Sequence, residues 1–512
     1  MSHISRSTLI IALFFGIDKV VALVRQIIMP RIYSTTELDV FLAANNIPDL
    51  LSVLISGGAL GVALIPVLSE YLEQRGRPAA WELFARILNL AFIVTGLMAL
   101  VVAVFAEWIV RTWIVPGFGP EQIALTAELM RLDLLAIMVF AISGLAMAGL
   151  QANQHFLLPA MAPVLYNFGQ IFGIVVFSPE TEYSLGPIAM PAGLGFGIHG
   201  LIYGVILGSV LHLLIQVPGL IRYGFRWRPG IALNTPGVRQ VLRLLGPRVL
   251  TMACIQWFFL IRDNLASRLG EGAVTGLNYG WFVMQIPETL IGTALAIAIL
   301  PTLAEEFVRR DDDAFRETVN RGIRVMLGLT IPAAALLAAG IRPVIGIIGL
   351  EPHVEALAVV STQVYLLGLS GHALLEIAAR SFYARQDART PLVMAFLNAV
   401  LLYSVLAIGL YRTYGVGGIA FANAVAFTAE AVILFLLLRR RVPGIFQARA
   451  TALRALAAGA VGAGIVILVN WAAGSASAAG YTSVLYGVAA LAAGGVAALP
   501  FIWPEIKLVV KI

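Results

Sequence analysis

The chain is poor in charge and almost devoid of cysteine. Only 12% of its 512 residues are charged and 60% are hydrophobic, and mean hydropathy is +0.91. A soluble domain carries about 25% charged residues, so a soluble globular protein is excluded. The single cysteine, Cys254, sits in an apolar run. That excludes a disulfide framework and a cysteine metal site, and reads as a small core residue. The six histidines lack metal-ligand spacing, and neither a nucleophile–base pattern nor a Gly-rich phosphate loop occurs. No enzymatic activity and no cofactor are therefore expected. No small-residue cleavage site follows the first apolar run, which continues past Lys19 and Arg25, so no cleavable signal is expected either. What is left is an all-α polytopic membrane protein.

Hydropathy suggests about fourteen spans joined by short loops. The Lys and Arg residues are unevenly spread. Arg222, Arg226, Arg228, Arg239, Arg243 and Arg248 crowd one even-numbered loop, and Arg439, Arg440, Arg441, Arg449 and Arg454 another. Odd-numbered loops hold only Arg31, Arg111, Arg268, Arg342 and Arg412. By the positive-inside rule both termini are expected to be cytoplasmic. The net charge of +6 is then topogenic and lipid-facing, and no nucleic-acid partner is expected.

The stretch from Asp39 to Tyr71 is mostly apolar yet carries Asp39, Asn45, Asn46 and Asp49, with Pro48, Pro66 and Gly57-Gly58 inside. Polar groups facing lipid are costly, so these residues are expected to look into a protein-lined cavity. The prolines and glycines give this helix places to bend. Its pattern returns later in the chain. Ile47-Pro48-Asp49-x-Leu51 reappears as Ile286-Pro287-Glu288-x-Leu290, and Ile65-Pro66-x-Leu68-x-Glu70 as Leu300-Pro301-x-Leu303-x-Glu305. Ala152–Pro159 matches Ala384–Pro391, each entering a span with an asparagine farther in, Asn167 and Asn398. Gly197-x-x-Gly200-Leu201 matches Gly415-x-x-Gly418-Ile419. The matches fall in order, which predicts two parallel six-helix repeats, 1–222 and 223–440, and two further helices in 441–512. A substrate path is expected between such repeats.

The intramembrane charges are the candidate site. Asp18 and Arg25 share one face of the first span, while Lys19 shares its face with Gln26. The group is either an ion pair that orients the helix or a cationic site for phosphate, whose oxygens match a guanidinium fork. Asp39 is either a helix cap near the outer surface or a cavity acid. Asp49 follows a proline, where an acid complements a half-helix. Arg262 and Asp263 are adjacent, about 100° apart around a helix, so they are not expected to pair well with each other, and at least one is expected to seek a partner on another helix or in the cavity. The other reading is an interfacial pair that anchors the helix. Glu288 and Glu376 complete the acids, and Arg86 and Arg131 are expected near opposite membrane surfaces.

With these stretches in hand, the chain resembles the MurJ (MviN) family of lipid II flippases in the MOP exporter superfamily. The resemblance is carried by LVRQIIMPRIYSTTELDVFLAANNIPDLL, GGALGVALIPVLSEY, LGEGAVTGLNYG, ILPTLAEEF and RSFYARQDARTP, and runs from about residue 7 to 440. It implies a flippase that carries a polyprenyl-diphosphate-linked saccharide, by default lipid II, from the inner to the outer leaflet of the bacterial cytoplasmic membrane by alternating access. The two last helices resemble the family's extra pair, which forms a groove for the polyprenyl tail. Arg25 and Lys19 match basic positions of the family's cavity, and Asp39 its acidic one. Elsewhere the chain departs from the pattern: Gln26, Ser52, Gly57-Gly58-Ala59, Gly280-Trp281-Phe282 and Gln285 stand where the family places cavity charge. Arg262 and Asp263 are candidates to restore some of it. The implied cavity set is Lys19, Arg25, Asp39, Asn46, Asp49, Arg262, Asp263, Gln285 and Glu288. Implied partners are the lipid-linked oligosaccharide, membrane lipid, a coupling ion and cell-envelope biosynthesis proteins. Alternatives are export of another lipid-linked glycan, a MATE-like drug or cation antiporter, and a non-transporting scaffold.

Overall fold

Long apolar runs broken by Gly and Pro fold as helices because the backbone must satisfy its own hydrogen bonds in hydrocarbon. The computed structural model describes residues 3–56, 59–185, 188–231, 234–474 and 481–509. Apart from an antiparallel hairpin pairing Tyr183 with Met190 and Ser184 with Ala189, every regular element described is helical. Among the described residues, ten stretches are long and apolar enough to cross a bilayer, eleven if Pro352–Leu367 and Leu369–Ala384, bent by 45°, are one span. The protein is thus an all-helical, multi-span membrane protein. The expected count of fourteen is higher for identifiable reasons. The expected second span is cut into short helices, and Arg389–Arg441 runs as one stretch over two expected spans. The first helix, His3–Ile28, is also long enough to span.

The expected second span consists of Thr35–Ala44, Asn46–Leu51 and Ala59–Gln74, with a π-helical turn at Ser52–Ser56. Ser34 caps its start, accepting from the Glu37 N–H while Glu37 reaches back, a full capping box. Asp39 is therefore not the cap; it lies inside the first segment, fully buried. The Gly57-Gly58 bend falls outside the described residues.

The chain divides into two compact units, Met1–Asn264 and Leu265–Ile512. In the first, one core gathers Leu38, Phe41, Val110, Leu129 and Ile202, and another Leu64, Leu68, Phe84 and Leu145. The helices Leu157–Phe172 and Ile198–Leu214 touch backbone to backbone: a Cβ on Gly169 would stand 2.3 Å from Gly208 Cα. Small residues permit that approach, which drives helix association where lipid is as apolar as leucine. In the second, Phe315, Ile323, Phe382 and Leu434 form the core. Its last two helices, Arg449–Gly474 and Tyr481–Val509, cross at Gly462 and Gly494, where a Cβ on Gly494 would stand 2.6 Å from Gly462 O.

The duplication is visible in backbone geometry. Gly197 has φ 54°, ψ −137°, and Gly415, its sequence counterpart, φ 57°, ψ −138°. Gln154 and Gln386, also matched, both take positive φ, 61° and 59°. Non-glycine residues seldom adopt that conformation, so its recurrence at matched positions marks the same turn built twice. A π-helical turn also recurs at Ser52–Ser56 and Glu288–Thr293, whereas the turn at Asn398–Tyr403 falls earlier in its repeat than the one at Gly173–Phe177.

Candidate intramembrane polar site

The first helix presents Asp18 and Arg25 to one neighbour. Asn167 Nδ2 donates to Asp18 Oδ1 at 2.8 Å, and Arg25 Nη1 donates to Gln170 Oε1 at 2.8 Å. Asn167 and Gln170 are one helical turn apart on Leu157–Phe172, so a single face reads both charges. Asp18 and Arg25 therefore engage two buried amides rather than each other. Arg25 commits one donor to Gln170, and its Nε, buried, has no partner among the described residues. A guanidinium has five N–H groups, which leaves capacity for an anion. Lys19, on another face, is exposed.

Asp49 falls in the first turn of Asn46–Leu51 and is exposed. Arg25 and the buried Asp133 are its electrostatic neighbours. Asn46 Nδ2 donates to Asp263 Oδ2 at 2.8 Å, tying the broken second helix to Pro236–Ala266.

Asp263 thus has the expected partner on another helix, but Arg262 and Asp263 also pair with each other, against the expectation from their angular separation. Arg262 Nε donates to Asp263 Oδ1 at 2.7 Å and Nη2 to Oδ2 at 3.3 Å, both residues buried. The long arginine folds back along its helix and lies over Phe259, 5.0 Å from the ring centroid. The Cβ directions diverge, but a side chain of that length bridges the gap.

In the second unit Glu288 is half-buried and accepts from Thr293 Oγ1 at 3.2 Å and, weakly, from Thr289 Oγ1 at 3.5 Å. Gln285 is exposed. Glu376 pairs with Arg380. Asn398 Nδ2 donates to the buried Glu430 at 2.6 Å. Each unit thus holds a buried asparagine on a carboxylate, Asn167 on Asp18 and Asn398 on Glu430. Sequence reasoning flagged both asparagines only as landmarks of the repeat. Gln170 and Glu430 went unnoticed, although polar residues inside apolar spans were signal enough. Arg86 bonds Glu82 and Thr235, and Arg131 Nε donates to Ala103 O at 2.9 Å.

Two helical units built on matched turns, with polar groups in mid-span, are the architecture of a membrane transporter. Its fold is similar to an inward-facing multidrug MATE transporter of the MOP superfamily, with a TM-score of 0.69 at 14% identity, covering 84% of this chain and 98% of that one. It is closer to a solved "Lipid II flippase MurJ, inward closed conformation", with a TM-score of 0.76 at 17% identity, covering 97% of this chain and all of that one. The family described as "Lipid II flippase MurJ" matches residues 31–487, and the chain belongs to it. Relatives include the "Lipid II flippase MurJ" of Burkholderia cenocepacia, 29% identical over 92% of this chain and 90% of its own length. The "Probable lipid II flippase MurJ" of Vibrio cholerae is 27% identical over 84% and 82%.

Proposed function

We propose that this chain translocates lipid II from the cytoplasmic to the outer leaflet of the bacterial inner membrane by alternating access. The observation that carries this reading is family membership over nearly the whole chain, joined to a first helix whose Arg25 keeps donors uncommitted. The obstacle to flipping is the diphosphate–sugar head, which must cross a hydrocarbon layer ~30 Å thick. Cations in a wet path lower that barrier while the polyprenyl tail stays in lipid. Arg25 contacts the diphosphate, oriented by Gln170, and Lys19 supports it electrostatically. Asp39, Asn46, Asp49, Arg262, Asp263, Gln285 and Glu288 line or brace the path.

Lobes 1–222 and 223–440 rock about the path, and the helices of 441–512 accommodate the tail. Both termini lie in the cytoplasm. An ion gradient, the membrane potential or the substrate gradient supplies the drive. Cell-envelope biosynthesis proteins deliver and consume the cargo. A MATE-like exchange of small cations is disfavoured by Arg25 and Lys19, which repel such a cargo.

Depletion and rescue provides the test. Expression in cells stripped of their own lipid II flippase should restore growth and the exposure of lipid II at the outer face. Stable membrane expression without rescue would leave the scaffold reading or another lipid-linked glycan.

A further inference from the structure

Away from the polar path, a cavity of about 490 Å³ opens where the start of Gly76–Val104 meets the end of Val217–Arg222. Arg77, Arg222, Arg226, Arg228, Trp81 and Tyr223 line it. All four arginines are exposed, and among the described residues none has a side-chain hydrogen bond or ion pair. Glu82, the acid in the lining, is taken by Arg86.

The cavity's walls are fixed. Trp81 Nε1 donates to Tyr223 O at 2.9 Å, and the Arg77 guanidinium lies 5.6 Å from the Tyr223 ring centroid. Asn89 Nδ2 donates to Arg228 O at 2.9 Å and Gly230 O at 3.0 Å, and Asn89 Oδ1 accepts from Trp227 Nε1 at 2.8 Å. The segment bearing Arg226 and Arg228 is thereby pinned to the helix bearing Arg77.

The internal repeat gives the comparison that matters. In the second unit the corresponding corner is neutralised: Arg385 pairs with Asp312 at 3.2 Å and Arg441 with Asp387 at 2.8 Å. Counting on from the matched Glu70 and Glu305, Arg77 falls where Asp312 stands. In the matched ANQH and ARQD segments, His155 falls where Asp387 stands. Both acids are thus replaced in the first unit, one by a cation. Burial and then the nearby Arg222 hold His155 below the ordinary histidine range, in its neutral form. It does not compensate the arginines. Ile221, Trp227 and Ile231, beside them, are large apolar residues left exposed.

We propose that this arginine corner binds the phosphate of an anionic glycerophospholipid from the leaflet it faces, with the acyl chains lying along Ile221, Trp227 and Ile231. Basic pockets at the ends of membrane helices suit such headgroups, and four guanidiniums with no acid paired to them offer forks to phosphate oxygens. The inference does not depend on the cargo, only on the chain being embedded in lipid.

The full chain, reconstituted in phosphatidylcholine nanodiscs with or without a minor fraction of phosphatidylglycerol, tests it by native mass spectrometry of retained lipid. The wild type should retain phosphatidylglycerol over phosphatidylcholine. Arg77→Gln/Arg226→Gln/Arg228→Gln should weaken retention about tenfold or more, and the three lysine substitutions should keep most of it. Arg439→Gln/Arg440→Gln/Arg449→Gln, which removes equal charge elsewhere, should change nothing. Equal retention by the first glutamine variant, or equal loss by the second, overturns the proposal. So does displacement by inorganic phosphate alone, or preference for a polyprenyl diphosphate over phosphatidylglycerol. If the first variant fails to fold, the wild type decides: no preference between the two phospholipids refutes the site.

Discussion

Arg25 and Gln170 set the terms at the level of single residues. A hydrogen bond to a charged group contributes about 1.5–3 kcal/mol, and tenfold in rate is about 1.4 kcal/mol. Arg25→Ala should therefore slow flipping at least about tenfold with normal membrane expression. Arg25→Lys should recover only part, because the bidentate fork is lost. Gln170→Ala should fall between wild type and Arg25→Ala in a lipid II accessibility assay. Transport at the parental rate by Arg25→Ala would place the phosphate site elsewhere. The Arg262–Asp263 pair makes a different forecast. Removing one member of a buried pair leaves an uncompensated charge and costs about 3–5 kcal/mol. Asp263→Ala also frees Asn46, so its thermal midpoint in detergent should drop further than that of Arg262→Met/Asp263→Leu.

Among the elements, the matched turns and the tight crossing carry the predictions. Gly197 and Gly415 adopt a conformation closed to L residues, with nothing within 4 Å of an added Cβ. An alanine there pays only backbone strain, about 1–3 kcal/mol, and both variants should lose similar thermal stability. Gly169→Ala fails for another reason, because its Cβ meets Gly208 Cα; Gly16→Ala, with open space, is the control. The Asp387 turn adds a pH dependence. Burial raises its pKa, but the Thr390 N–H and hydroxyl and Arg441 outweigh that and bring it down to about 2. A depressed carboxylate stabilises fully above its unfolded value near 3.8 and loses that contribution as pH falls toward 2. The stability gap between wild type and Asp387→Asn should therefore be present at neutral pH and close across that window.

For the whole molecule, the uneven arginines make the topology testable. Cysteine labelling in loops 179–193 and 222–238 should place them on opposite sides of the membrane, with the second cytoplasmic. Labelling of both from one side would end this topology, and with it the assignment of the termini.

The sequence alone determined that this is an all-helical, multi-span membrane protein with an internal duplication. Charge scarcity, apolar runs of spanning length and ordered Pro and Gly matches are properties of residue order, and the bilayer enforces helix on such runs. It also marked Arg25 and Lys19, because charged residues in apolar spans stand out without coordinates, and it marked Asn167 and Asn398 only as matched positions of the repeat. Which of these meet was decided by tertiary packing. Nothing in the order of residues says that Leu157–Phe172 turns Asn167 and Gln170 toward Asp18 and Arg25, or that Ser34 rather than Asp39 caps the second helix. The Arg262–Asp263 pair depended on side-chain reach, which helical angles do not encode. The unpaired arginine corner likewise emerges only when two loops far apart in the chain are brought together, since electrostatic compensation depends on distances in space.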